Sequence, residues 1–289
     1  MADGGTLVLN PQSFALPAGL STPVGKRSPS KTSQPETQRL KENACQTDQP
    51  RADSFIVNPL VGPTQLYYPK QSLSNLVVAL DVDATLLHTF FKPQEVETIK
   101  QLNIWTEPKY MSLRPVVRRV KLENVNMPPG AGTENEMIMV FRPRIFEFLI
   151  FLSTYARALV VWSAGAPRYV KAAAKELFRD LPKPQAILTS DDCSKDKYGD
   201  VAKPLRFLFD YLPNIATPYN TILIDDRDSN CNSNPGAAIM IPEYKPEATL
   251  SSITADDVAL TQIKDWLLKP EVMKAQDVRT LDKSKIFNC

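Results

Sequence analysis

The stretch NLVVALDVDATLLHT, residues 75–89, decides the fold prediction. Five consecutive apolar residues, Leu76 to Leu80, are followed at once by two carboxylates, Asp81 and Asp83, and then by the hydroxyl of Thr85. A short apolar run without alternation is typical of a strand that is buried on both faces. Two acids directly after such a strand indicate that it carries them to the edge of a sheet where open α/β folds bind ligands.

The following two hundred residues repeat this pattern, with short apolar strands separated by helical stretches. Five segments are predicted as strands: LVVAL (76–80), ALVVW (158–162), AILT (186–189), TILI (221–224) and AAIMI (237–241). Helices are predicted over 142–156, 167–181, 203–212 and 254–268. Thr254, with Asp257 three residues later, resembles an N-terminal cap of the last helix. The alternation predicts an α/β fold, a doubly wound parallel sheet with helices on both faces.

Composition changes divide the chain into three parts. Residues 1–72 contain nine of the 25 prolines and little periodic apolar pattern, so they are predicted to be a disordered or extended tail. The folded domain is predicted over 73–272 and a C-terminal tail over 273–289. Residues 90–140 break the alternation of strands and helices. Because 113–123 and 136–143 read as strands around a turn-rich segment, this region is predicted to be a small β insertion.

Charge and residue counts exclude several function classes. A formal net charge of +2 offers no electrostatic case for a nucleic-acid partner. No signal peptide or membrane span is evident, and four scattered cysteines indicate a reducing intracellular compartment, cytoplasmic or nuclear. A basic Ser-Pro segment, GKRSPSK (25–31), is open to three interpretations: a nuclear-import patch, a proline-directed phosphorylation site or a solvated linker. The single histidine, His88, excludes zinc sites built on histidine pairs.

Polar side chains follow several predicted strands, at the points where those strands end. If the sheet is parallel, one crevice collects Asp81, Asp83, Ser163, Lys203, Asp225 and Asp226. Unpaired carboxylates so placed repel one another, and either a divalent cation or a nearby lysine relieves this. Mg²⁺ is a hard ion that prefers oxygen ligands. A cation, a lysine, a hydroxyl donor and a carboxylate nucleophile together suit a phosphoryl group.

These motifs resemble a known family. DVDATLLHT (81–89) is similar to the D-x-D-x-T-[LV] signature of the haloacid dehalogenase (HAD) superfamily. FRPRIFEFL (141–149), VVWSAGAPRYV (160–170), GDVAKPL (199–205) and ILIDDRDSNCNSNPGAAIMIP (222–242) resemble, in the same order, elements of its FCP/SCP-like branch. That branch comprises NLI-interacting-factor-like phosphatases related to those acting on the RNA polymerase II C-terminal domain. The resemblance covers about 74–270.

The resemblance implies a HAD-like fold and a role for each matched residue. Asp81 would be the nucleophile, and Asp83 would act as general acid and base. Ser163, Lys203, Ala164 and Thr85 would bind the phosphate, with Lys203 also catalytic. The implied Mg²⁺ ligands are Asp81, Asp83, through a backbone carbonyl near it, and Asp225, with Asp226 in the next shell. Tyr169, Phe90 and Phe91 are candidates for a substrate groove, and core packing is the alternative for the two phenylalanines.

The implied activity is a Mg²⁺-dependent phosphoserine/phosphothreonine protein phosphatase acting through an aspartyl-phosphate. Its partner would be a phosphorylated protein or peptide, such as a C-terminal-domain-like Ser-Pro peptide. Two alternatives stay open: a catalytically weak peptide-binding module with the same fold, and a phosphatase of a nucleic-acid 3′ end or a small metabolite. Ala84 stands where this branch usually has glutamate, and Ser163 stands where threonine is commoner.

Overall fold

The computed structural model of the protein describes residues 72–123, 134–195 and 198–287. The predicted N-terminal tail, 1–72, lies outside the described residues apart from its last residue, and so does the Ser-Pro segment at 25–31. The described strands are β1 (Val77–Leu80), β2 (Leu87–Phe90), β3 (Val117–Glu123), β4 (Glu134–Phe141), β5 (Ala158–Trp162), β6 (Ala186–Leu188), β7 (Ser194–Lys195), β8 (Val201–Ala202), β9 (Thr221–Asp225) and β10 (Ala238–Met240).

Helices connect these strands and cover the larger sheet. They are α1 (Pro93–Gln101), α2 (Ile145–Tyr155), α3 (Pro167–Leu177), α4 (Arg206–Tyr211), α5 (Asp228–Asn232), α6 (Leu250–Ile253), α7 (Ala259–Leu267) and α8 (Pro270–Met273). Short 3₁₀ turns occupy Pro108–Leu113, Ser190–Asp192 and Val278–Thr280. No helix in the described part of the chain combines the length and the apolarity that crossing a membrane requires.

Five parallel strands form the central sheet in the order β10-β9-β1-β5-β6. All four residues of β1 are buried, and their side chains alternate between two separate cores. Val78 and Leu80 pack in a core with residues of α2, α3 and α7, whereas Val77 and Ala79 face a second core with α4. Because helices cover both faces of a parallel sheet, the predicted doubly wound α/β fold is confirmed.

The predicted β insertion forms a three-stranded antiparallel sheet in the order β2-β4-β3. The insertion also contains a helix, α1. Its first strand begins at Leu87, before the predicted limit of 90. Helix α1 was not predicted, because the clearest pattern in this region is the strand alternation of 113–123 and 136–143. The signal was present: Pro93 occupies the first turn, and Val96 and Ile99, three residues apart, are the buried residues of the helix.

The predicted cap at Thr254 was wrong. Thr254 follows α6, and its hydroxyl donates a hydrogen bond to the carbonyl of Leu250 at 2.8 Å. Helix α7 begins later, at Ala259, whose backbone N–H donates to Asp257 at 3.0 Å. The local pattern suggested the earlier start because threonine and aspartate three residues apart resemble a capping box wherever they occur.

The C-terminal segment 273–287 packs on the domain. Val278 and Ile286 are buried in the same core as α2 and α7. The indole of Trp266 donates a hydrogen bond to the carbonyl of Asp282 at 3.0 Å. Removing this segment would therefore expose apolar surface of the main core.

Candidate active site

Three adjacent strands of the central sheet bring the predicted polar residues together. β1 lies between β9 and β5, with Leu80 paired to both Ile224 and Val161. The residues directly after these pairs therefore share one edge: Asp81 follows β1, and Asp225 ends β9. The backbone N–H of Asp81 donates to the carbonyl of Ile224 at 3.0 Å, which continues the strand pairing to the site.

Lys203 lies between two of these carboxylates. Its side chain has no exposed surface, and its ammonium contacts Asp81 and donates a hydrogen bond to Asp225 at 2.7 Å. The chain around Lys203 is held by the buried side chain of Asn234, which accepts from Leu205 N at 2.7 Å and donates to Lys203 O at 2.8 Å. Asn234 was not predicted, since asparagine before proline usually indicates a turn.

A cluster of carboxylate oxygens lies beside Lys203. Asp81, Asp225 and Asp226 each contribute one oxygen, and these oxygens lie within 4.8 Å of one another. Three carboxylates exceed the charge of one lysine, and carboxylate oxygens are the ligands that Mg²⁺ prefers. The residues therefore fit a divalent cation. Asp226, predicted for the next shell, belongs to this group of oxygens.

Hydrogen bonds fix the orientation of Asp225. Its carboxylate accepts from the backbone N–H of Arg227 at 2.9 Å and from the amide of Asn230 at 3.0 Å. Asn230 is fully buried, and its side-chain oxygen has no hydrogen-bond partner among the described residues. Asn230 was missed in the sequence, although its place five residues after Asp225 in the first turns of α5 could have indicated a link to that acid.

The carboxylate of Asp83 lies outside the cluster. One of its oxygens accepts a hydrogen bond from the Tyr169 hydroxyl, and the other accepts from Ser163 at 3.4 Å. The chain turns sharply after Asp83 because Ala84 has a left-handed backbone, with φ of 60°. A contribution of Asp83 to metal binding, through its backbone carbonyl, stays a prediction.

Burial dominates the titration of the site. It raises the pKa of Asp81 to about 8, and the nearby carboxylates of Asp225 and Asp83 add to this effect, whereas Lys203 opposes it. Burial also raises the pKa of Asp83 and of Asp226. For Lys203, burial disfavours the charge, but Asp81 and Asp225 outweigh it, so its pKa is raised. The lysine therefore keeps its proton, and the acids carry the cost of desolvation until a cation binds.

The residues predicted to bind phosphate lie at the same edge of the sheet. Ser163 follows β5, is buried, and its hydroxyl accepts from the backbone N–H of Gly165 at 3.0 Å. Ala164, which is half-buried, lies between Ser163 and Gly165 in the chain. Thr85 is fully buried, and its hydroxyl donates to Asp226 at 3.2 Å. Phosphate binding by these groups stays a prediction.

An open cleft of about 430 Å³ adjoins Asp83. Two of the three predicted groove residues, Tyr169 and Phe91, line it, and Phe91 is exposed. For Phe90 the structure contradicts the groove and agrees with the alternative of core packing, because its side chain is buried in the core of the insertion beside Val96 and Ile99. Phe90 is the last residue of β2, whereas Phe91 lies just beyond the end of that strand. The cleft lining also includes residues that were not predicted, namely His88, Thr89, Met137, Gly165, Ala166, Glu243 and Lys245.

A fully buried arginine supports the loop that carries Asp83 and Thr85. Arg142 donates two hydrogen bonds of 2.9 Å to Asp257, one of 3.1 Å to the carbonyl of Thr85 and one of 2.9 Å to the carbonyl of Pro242. The guanidinium also lies over the ring of Tyr244, 5.4 Å from its centroid. The R-P motif was noted in the sequence only as part of the resemblance, and its partners are over fifty residues away in the chain.

The chain was compared with known proteins and with solved structures. The solved structures that are similar to it include an arginine-to-alanine variant of the fission yeast RNA polymerase II CTD phosphatase Fcp1 bound to beryllium fluoride (24% identity, 59% of this chain and 42% of that chain, TM-score 0.44). They also include the essential RNA polymerase II CTD phosphatase Fcp1 (20% identity, 72% of this chain and 58% of that chain, TM-score 0.44). This chain thus spans about half the length of those proteins. No curated protein matches it.

The sequence profile of NLI interacting factor-like phosphatases matches residues 76–279, well over half of the chain. The match includes every residue of the carboxylate cluster and Lys203. It confirms the resemblance seen in the sequence: the chain belongs to the family of NLI interacting factor-like phosphatases.

Proposed function

We propose that the protein is a Mg²⁺-dependent phosphoserine/phosphothreonine protein phosphatase that works through an aspartyl-phosphate on Asp81. The observation that carries this proposal is the fully buried ammonium of Lys203, held between Asp81 and Asp225 and next to Asp226. A buried lysine among three acids is costly as a purely structural device. It is suited to receiving a phosphoryl group, whose oxygens would take over part of its charge.

In the first step, an oxygen of Asp81 bonds to phosphorus while the bond from phosphorus to the serine or threonine oxygen breaks. Asp83 delivers a proton to that leaving oxygen. In the second step, Asp83 takes a proton from water, the water oxygen bonds to phosphorus, and the bond to Asp81 breaks. Inorganic phosphate leaves, and both acids return to their starting states.

The remaining residues bind and orient the phosphate. Lys203 and the hydroxyl of Ser163 would contact its oxygens, with Ala164 and Thr85 shaping the loops on either side. Asp81, Asp225 and Asp226 would hold Mg²⁺, together with a backbone carbonyl near Asp83. The bound ion would act as a Lewis acid that neutralises charge on the phosphoryl oxygens.

The cleft beside Asp83 supports a peptide substrate. It is open to solvent, and Phe91, Met137 and Tyr169 contribute apolar surface close to the predicted acid. An apolar residue next to the phosphoserine, such as the proline of a Ser-Pro peptide, suits this surface better than a charged one. We therefore propose phosphorylated Ser-Pro segments of an intracellular protein, cytoplasmic or nuclear, as the substrate class.

The test is hydrolysis of an aryl phosphate with and without Mg²⁺. We expect metal-dependent turnover by the wild type and a loss of about 10³-fold or more in Asp81→Asn, because the nucleophile is removed. Asp265→Asn, an exposed aspartate on α7, is the matched control and should retain wild-type rates. Equal rates in the wild type and Asp81→Asn would refute the proposal. If the wild type is active, a panel of phosphopeptides would rank its substrates.

A further inference from the structure

A chain of two hydroxyl groups ends on the carboxylate of Asp83. The Tyr169 hydroxyl, from the first turn of α3, donates to one oxygen of Asp83. The Thr89 hydroxyl, from β2 of the insertion, lies 2.7 Å from the same Tyr169 oxygen. Tyr169 and Thr89 are both buried, with exposed fractions of 8% and 4%. The small antiparallel sheet is thereby connected to the candidate general acid.

The direction of these bonds follows from the number of protons. A phenol has one hydrogen, and the Asp83 oxygen that faces it can accept whether Asp83 is ionised or carries its proton on the other oxygen, so Tyr169 donates to Asp83. The phenol oxygen is then free to accept, and Thr89 must be the donor of the second bond. Burial and the charge of Asp83 both raise the pKa of Tyr169 well above its ordinary value, so its proton remains in place.

Little else holds the Asp83 side chain. Its second oxygen accepts from Ser163 at 3.4 Å, which is long for a hydroxyl-to-carboxylate hydrogen bond. Ser163 is also expected to turn toward a bound phosphate, which would weaken that contact further. The bond from Tyr169 is therefore the main constraint on the direction in which Asp83 points.

We propose that Tyr169, itself oriented by Thr89, is a positioning residue that aims Asp83 at the leaving oxygen. The inference rests on the proposed function, in which Asp83 supplies a proton to that oxygen. It assigns Tyr169 a role beyond forming a wall of the cleft. Proton delivery is sensitive to geometry, and it matters most when the leaving group is a poor one.

Two substrates of nearly equal shape separate positioning from binding. 4-Nitrophenyl phosphate has a good leaving group that needs little protonation, whereas 4-methylphenyl phosphate has a poor one. For Tyr169→Phe we expect kcat/KM to fall about 10-fold with the methyl compound and by less than about 3-fold with the nitro compound. A residue that merely lines the cleft would change both substrates equally.

Three further variants serve as controls. Thr89→Val should shift the ratio of the two kcat/KM values in the same direction by a smaller factor. Thr89→Ser, which keeps the hydroxyl, should show the ratio of the wild type. If Tyr169→Phe fails to fold, this threonine pair carries the test. Tyr155→Phe removes a buried hydroxyl that donates to the carbonyl of Leu267 at 2.6 Å, away from the site, and should leave the ratio unchanged.

A double variant completes the experiment. Because Tyr169 acts through Asp83, adding Tyr169→Phe to Asp83→Asn should cause no further loss with the methyl compound. Equal losses with both substrates, or full additivity with Asp83→Asn, would overturn the inference while leaving the proposed function intact. A wild type that hydrolyses neither substrate in the presence of Mg²⁺ would overturn the proposed function, and this inference with it.

Discussion

Replacing Arg142 by methionine tests whether the fold depends on the buried ion pair between Arg142 and Asp257 for its stability. Arg142 has no exposed side-chain surface, and its partner Asp257 is 23% exposed. Methionine keeps much of the apolar volume but loses all four hydrogen bonds, including the one to the carbonyl of Thr85. The loop that carries Asp83 would lose its connection to the segment before α7.

The expected cost follows from what remains after the substitution. Asp257 would be left partly buried without a cation, and the carbonyls of Thr85 and Pro242 would lose their donors. Removing one partner of a buried pair typically costs about 3–5 kcal/mol, much of it from the uncompensated group that stays behind. We expect Arg142→Met to lower the free energy of unfolding by about that amount.

Arg144 provides a matched control two residues away. It donates two hydrogen bonds to Asp256 and one to the carbonyl of Asp257 at 2.8 Å, but the side chains of Arg144 and Asp256 are 37% and 67% exposed. Because water and salt screen an exposed pair of this kind, its loss should cost far less than the loss of the buried pair. Urea unfolding followed by circular dichroism compares the variants at one pH. Equal losses of stability in Arg142→Met and Arg144→Met would refute the view that burial, rather than ion pairing as such, sets the cost.

Three further substitutions act on the site itself. Lys203→Met should lower the free energy of unfolding in EDTA by about 3–5 kcal/mol, because two buried carboxylates lose their cation. The control Lys92→Met, at an exposed lysine, should change it by under about 0.5 kcal/mol. A similarly small loss for Lys203→Met would contradict the buried ion pair. For Asp81, burial raises the pKa from 3.8 to about 8, so its neutral form stabilises the fold below about pH 4, and this contribution is lost as the pH rises toward 8. Asp81→Asn should therefore be more stable than the wild type near neutral pH in EDTA by about 1–3 kcal/mol, and this advantage should vanish in acid; urea unfolding over the pH range checks it, and a pH-independent difference would count against it. Ala84→Gly should raise the melting temperature slightly, because glycine removes the strain of φ at 60° at the expense of a more flexible unfolded chain; a clear fall would show that the alanine methyl group is needed for packing.

The parallel sheet was predictable because its evidence is local. Short apolar runs such as 76–80 and 158–162 have no polar face, and in a chain of alternating strands and helices this pattern has few other solutions. Helix α1 was missed for the opposite reason. Its buried face consists of only two residues, Val96 and Ile99, so the stabilising contacts come from the neighbouring sheet rather than from a long periodic pattern.

The site divides in the same way. The gathering of Asp81 and Asp225 at one edge follows from the rule that parallel strands end together. Lys203 instead follows β8, which belongs to a separate antiparallel pair with β7, and the structure brings its ammonium into contact with both acids. The membership of Asp226 in the oxygen cluster, and the turn of the Asp83 carboxylate toward Tyr169, depend on side-chain directions in the loops. Spacing along the chain does not specify those directions.

The strands, their parallel arrangement and the polar residues that follow them can be predicted from the amino-acid sequence, because each depends on neighbours a few positions apart. Which side chains touch can be seen only in the folded protein. Arg142 reaches Asp257, Tyr169 reaches Asp83 and Thr89, and Phe90 turns into a core while the next residue faces the cleft. These contacts join segments far apart in the chain, and their geometry is settled by how the sheets and helices pack rather than by any local pattern.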